Sequence, residues 1–126
     1  LADANDKAIL LIDPVYTNYL MFAKRSGRKT FSLQMTLDVD VYFSFPSEDE
    51  IEKIIVEEKV SSVIVVLYDN PTGQLYDRET MLMIARLCVK HNLWFVSDEA
   101  YRELFYAGEK ALSILQITDN DVHGIE

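Results

Sequence analysis

The sequence predicts an α/β fold, a three-layer α/β/α unit with a mostly parallel sheet. Apolar, β-branched runs alternate with helical patterns along the 126 residues, and each of the main runs gives way to a polar, turn-rich stretch. Parallel neighbours need crossover connections, and crossover helices cover the faces of the sheet they span.

Ala8 to Ile12 is the first predicted strand, a continuous apolar run suited to a sheet buried on both faces. Tyr16 to Arg25 carries a helical pattern, and Lys29 to Leu33 is a further, less apolar strand. Gln34 to Phe45 mixes Asp38, Asp40 and aromatics without a clean period and reads as a loop with room for a short strand. Glu48 to Glu58 is a helix behind the capping box Ser47-x-x-Glu50. Ser61 to Leu67 and Leu93 to Ser97 are buried strands flanking a helix over Asp77 to His91, and Glu99 to Phe105 has a helical look.

Composition narrows the classes of function. With 49% hydrophobic and 26% charged residues the chain suits one globular domain. A net charge of −9 leaves no basic footprint for nucleic acid or an anionic membrane surface. The longest apolar run, Val63 to Leu67, is too short to span a bilayer, and the N-terminus lacks a basic segment followed by an apolar one, so a cytoplasmic location is expected. Cys88 is the single cysteine, which excludes an internal disulfide and reads as a small buried helix residue. His91 and His123 have no partners at metal-ligand spacing, and His91 reads as a helix C-terminal capping residue.

In an open α/β sheet, ligands bind beyond the carboxyl ends of the strands. Those positions hold Asp13-Pro14-Val15-Tyr16, Tyr68-Asp69-Asn70-Pro71-Thr72-Gly73 and Ser97-Asp98-Glu99-Ala100-Tyr101. Pro71 biases Asn70 toward an extended backbone, and Gly73 supplies the freedom to turn away. Asp98 ends an apolar run, where a carboxylate requires a cation or donors; on local sequence a helix N-cap explains it equally well. Tyr101 would share a face with Asp98 if the intervening turn is helical. Tyr68, Tyr76 and Tyr106 flank the same strand ends and read as packing residues with hydrated hydroxyls.

Asn70 to Tyr106, NPTGQLYDRETMLMIARLCVKHNLWFVSDEAYRELFY, is similar to the fold-type I, class I/II pyridoxal-phosphate (PLP) aminotransferases, and DPVYTNYLMFAKRSG upstream matches their P-x-Y-x-x-Y segment. NPTG followed at this distance by SDEAY is far more specific than either motif alone. The resemblance implies that residues 1–126 are the central part of the large, PLP-binding domain. It implies that Asp98 pairs with the pyridine nitrogen, that Asn70 and Tyr101 donate to the phenolic oxygen, and that Tyr16 stacks on the ring. It also implies a first strand beside Ser61 to Leu67 and on the other side of the second, leaving a ligand crevice between those strands. Implied substrates are an amino acid and a 2-oxo acid, and the implied assembly is a homo-oligomer.

Other parts that the resemblance calls for are not in the chain. Lys110, the only lysine after Asp98, lacks the Ser-Lys context of the lysine that bonds PLP and reads as a solvated surface residue. The phosphate loop is expected before Leu1, and the substrate arginine after Glu126. The 126 residues therefore read as a segment of a longer enzyme, inactive alone, binding PLP weakly or not at all, and prone to self-association through an uncovered sheet edge. The alternatives are a β-lyase or decarboxylase of the same fold and a non-catalytic sensor. A P-loop nucleotide module is a further rival, but none of Gly27, Gly73, Gly108 and Gly124 opens the required G-x-x-x-x-G-K-[ST] loop.

Overall fold

The computed structural model describes residues 7–39, 42–104, 108 and 110–123, so the readings made for residues 1–6, Asp40, Phe105, Tyr106 and Gly124 fall outside it. In chain order the elements are β1 (Ala8–Asp13), α1 (Thr17–Arg25), β2 (Lys29–Gln34), β3 (Thr36–Leu37), β4 (Phe43–Ser44), α2 (Glu48–Glu57), β5 (Val60–Val66), α3 (Arg78–Lys90), β6 (Trp94–Asp98), a 3-10 turn (Ile114–Gln116) and α4 (Asp119–His123).

Local chemistry sets the helix limits. At α2 the Ser47 N–H donates to Glu50 Oε2 at 2.9 Å while Ser47 Oγ accepts from the Glu50 N–H, completing the predicted box. Asp77 caps α3 by accepting from the Thr80 N–H at 2.8 Å. α1 stops at Gly27, whose φ of +66° lets the Gly27 and Arg28 N–H groups turn back to the Lys24 and Ala23 carbonyls. Asn92, at φ 53°, closes α3 in the same way after its predicted C-cap, His91.

The main sheet is parallel throughout, in the order β2-β1-β5-β6. Leu10 lies beside Phe31 on one side and Val63 on the other, and Val63 lies beside Phe95. Leu10 and Ile12 from β1 and Val63 and Val65 from β5 pack with Ile51 and Ile55 of α2 and with Met81, Ile84, Leu87 and Cys88 of α3. The chain moves from β1 to β2 in one direction and from β2 to β5 and β6 in the other. Right-handed crossovers therefore set α1 on the face opposite α2 and α3, and no α1 residue enters that core cluster. On its own face α1 buries only Ala23.

Two expectations change. The stretch read as a loop contains an antiparallel hairpin, β3 with β4, pairing Thr36 with Ser44 and Leu37 with Phe43. Residues 99–104, read as helix, are not helical, with a turn over residues 100–103. Glu99 there engages distant groups instead of its own helix, accepting from Ser113 Oγ at 3.0 Å and the Ile114 N–H at 2.8 Å. Among the described residues no helix is long and apolar enough to cross a membrane.

Candidate functional site

The strand order reverses between β1 and β5, so a crevice opens beyond their carboxyl ends. All three polar strand-end segments lie along this edge because the four strands run parallel. β1 ends at Asp13, whose carboxylate accepts from Gln34 Nε2 at 2.8 Å and whose carbonyl accepts from the Met35 N–H at 2.7 Å. The chain then passes Pro14 to Tyr16, the N-cap residue of α1, and the first turn of α1 carries Tyr19.

Asp98 is the last residue of β6, in register with Val66, and its carbonyl accepts from the Leu67 N–H at 2.9 Å. Its Oδ1 accepts from the Ala100 N–H at 3.0 Å, so the carboxylate caps a local turn and not a helix. Its Oδ2 accepts from the Tyr19 hydroxyl. Burial, the hydrogen bond to Asp98 and the nearby Asp98 charge push the Tyr19 hydroxyl well above the ordinary phenol value, so it remains a donor. Tyr16 and Tyr101 lie close enough to add to that push. The Tyr16 ring meets Tyr19 edge to face, with centroids 6.0 Å apart and planes at 81°, and its hydroxyl accepts from Asn18 Nδ2 at 2.7 Å.

Asn70 stands on the turn beyond β5. The Gly73 N–H donates to the Asp69 carbonyl at 2.6 Å, with Gly73 at φ +72° as its composition predicts, and the Asn70–Pro71 peptide is cis, as is Asp13–Pro14. The Asn70 amide and the Tyr101 hydroxyl make no hydrogen bond with another described residue. Tyr16, Tyr19, Asp98 and Tyr101 thus come together, while Asn70, beyond the neighbouring strand end, makes no side-chain hydrogen bond to them.

Sequence reasoning missed Tyr19, Asp69 and Gln74. Tyr19 was visible as the second tyrosine of P-x-Y-x-x-Y, three residues from Tyr16 and hence on the same helical face. Tyr76 corrects a reading: its hydroxyl is not hydrated but buried, 4.0 Å from Met35 Sδ, and burial with the nearby Asp69 charge pushes it above the ordinary phenol value. Tyr68 also buries its hydroxyl, which has no partner among the described residues. Lys110 is exposed and paired with Glu103 at 2.8 Å. Among the described residues no cluster of His, Cys, Asp and Glu could hold a metal ion. A separate cleft of about 450 Å³ between α3, β6 and α4 includes Cys88, Leu93 and Val122, but none of the candidate residues lines it.

The donor set fits PLP: a carboxylate fixed by two donors offers an acceptor for a ring N–H, and an unengaged amide and phenol offer donors to an oxyanion. The pattern described as Aminotransferase class I and II matches residues 1–125. The chain is 35% identical over 119 residues to an aspartate aminotransferase of Bacillus subtilis, covering 94% of this chain and 29% of that protein. The chain therefore spans under a third of the length of this relative. Its fold is similar to N-succinyldiaminopimelate aminotransferase from Mycobacterium tuberculosis, with TM-score 0.80 and 22% identity over 90% of this chain and 29% of that one. It is also similar to a PLP-bound C-S lyase from Staphylococcus hominis, with TM-score 0.79 and 19% identity over 86% and 27% of the two chains.

Proposed function

The chain belongs to the class I and II aminotransferase family, and on that premise we propose that it forms the ring-binding side of a PLP site in a longer enzyme that moves an amino group from an amino acid to a 2-oxo acid. The carrying observation is the Asp98 carboxylate, held by Tyr19 and Ala100 at the end of β6, the strand next to the β1/β5 reversal of strand order. In this reading Asp98 accepts from the pyridine nitrogen, Asn70 and Tyr101 donate to the phenolic oxygen, and Tyr16 covers a ring face. Bound PLP supplies an electron sink for the substrate carbon, and a carboxylate opposite its ring nitrogen keeps that nitrogen protonated. The lysine, phosphate loop and substrate arginine lie outside these residues, so the 126-residue chain is inactive alone, and the whole enzyme is a homo-oligomer.

The test is PLP titration, followed by absorbance, of the protein expressed from its complete gene. Asp98→Ala should weaken binding at least tenfold, the scale of losing a hydrogen bond to a charged group. Unchanged affinity, or turnover by the 126-residue chain, would sink the reading. The C-S lyase neighbour supports a second reading, β-elimination from a sulfur-containing amino acid. Incubation with cystathionine separates the two: ammonia with a released thiol marks a lyase, and amino transfer to 2-oxoglutarate marks a transaminase.

A further inference from the structure

Asp69 is buried, 4% exposed, and forms no ion pair among the described residues. Its carboxylate Oδ2 accepts from the Thr72 hydroxyl at 2.6 Å and from the Thr72 N–H at 3.3 Å, and the buried Tyr76 hydroxyl, whose hydrogen-bond partner is Met35 Sδ at 4.0 Å, lies nearby. Its N–H donates to the Gln74 carbonyl at 2.8 Å, and its carbonyl accepts from Gly73 at 2.6 Å. Every hydrogen-bond partner of Asp69 among the described residues therefore lies within residues 72–74, in the turn that carries Asn70.

A carboxylate removed from water without a cation is costly, and an apolar residue of similar size would avoid that cost. What the charge obtains here is the shape of one turn. Backbone geometry adds to the constraint: Tyr68, just before Asp69, adopts φ 54°, a region unfavourable to a bulky residue, and Gly73 closes the turn at φ +72°. From outside, the Gln74 side chain grips β4, with Nε2 donating to the Phe43 carbonyl at 2.6 Å and Oε1 accepting from the Phe43 N–H at 3.1 Å. Asn70 makes no side-chain bond to a described residue, so the direction of its amide is set by this backbone.

We propose that Asp69 is a positioning residue that aims the Asn70 amide into the crevice between β1 and β5 by binding Thr72. The inference rests on the reading that Asn70 donates to bound PLP.

The experiment compares Asp69→Ala, Asp69→Asn, Thr72→Val, Asn70→Ala and the double variant Asp69→Ala/Asn70→Ala in the protein expressed from its complete gene. PLP affinity and the pH midpoint of bound-PLP absorbance are measured, with circular dichroism to check folding. Asn70→Ala should weaken PLP about tenfold or more and move the midpoint. Asp69→Ala should reproduce most of both changes. Asp69→Asn, which keeps an acceptor for Thr72, should recover most of the loss, and Thr72→Val should move both readouts the same way by less. The double variant should bind no worse than Asn70→Ala, because the two residues act through one contact.

Additive losses in the double variant would overturn the proposal, as would an Asp69→Ala protein with wild-type affinity and midpoint. Should Asp69→Ala not fold, Thr72→Val carries the test, and an unmoved midpoint there overturns the proposal. An Asn70→Ala protein that binds PLP normally would instead overturn the reading of Asn70, and this inference with it.

Discussion

The Tyr19 hydroxyl donates to Asp98 Oδ2, joining the first turn of α1, which follows β1, to the end of β6, and β5 separates those two strands in the sheet. The bond bridges residues 79 positions apart across the mouth of the crevice. Tyr19→Phe removes the donor and little else. We expect a loss of about 1–2 kcal/mol in unfolding free energy, the lower part of the range for a hydrogen bond to a charged group because the pair is only partly buried. Urea unfolding of the two proteins measures it, and equal stabilities would show that water replaces the hydroxyl without loss.

Gln74 replaces two backbone partners of Phe43 with one side chain, so Gln74→Ala should loosen the hairpin without disturbing the main core. About 1–2 kcal/mol of local stability is at stake. Hydrogen exchange should speed up around Thr36 to Ser44 while amides of β1 and β5 keep their protection. Uniform acceleration would point to global destabilisation instead.

Glu52 accepts from both Lys90 and His91 at 2.6 Å, tying α2 to the end of α3. The hydrogen bond from Lys90, and then the one from His91, hold the Glu52 carboxyl below its ordinary value of 4.5. A folded value below the unfolded one means stabilisation that is fully present above pH 4.5 and lost as pH falls through the lowered folded value. Glu52→Gln should therefore melt lower than wild type at neutral pH, with the difference closing as the solution is acidified below that point. A difference that grows in acid would refute the assignment.

Cys88 packs in the α3 face of the core, and burial pushes its thiol up to about 12. The thiolate is the reactive form, so a disulfide reagent at pH 8 should label the folded protein only as fast as it opens. Rapid native labelling would contradict the burial of this helix.

What was legible in the sequence was what depends on neighbours in sequence. The Ser47 and Glu50 box, the β1 and β5 apolar runs, and the strand-end positions of Asn70 and Asp98 all follow from local chemistry and the period of burial. Tyr19 acquires its partner only through the sheet order, which local pattern does not encode. The helix anticipated after Asp98 fails for a similar reason: Asp98 takes the Ala100 N–H, Glu99 reaches Ser113 and Ile114, and Arg102 Nε donates to the Ala111 carbonyl at 3.3 Å. Strands of two residues, as in β3 and β4, are too short to show a period.

Trp94, the single tryptophan, stands on β6 at the end of the sheet order and is 78% exposed, next to the exposed Val96 two residues on. Its emission should already resemble that of indole in water while the chain is folded, and unfolding should shift it little. The same indole then acts as a silent probe of folding and a sensitive one of coverage. Any strand, helix or second copy that seats on this edge should move its spectrum to shorter wavelength, so a single dilution series in a fluorimeter reads out association of the chain.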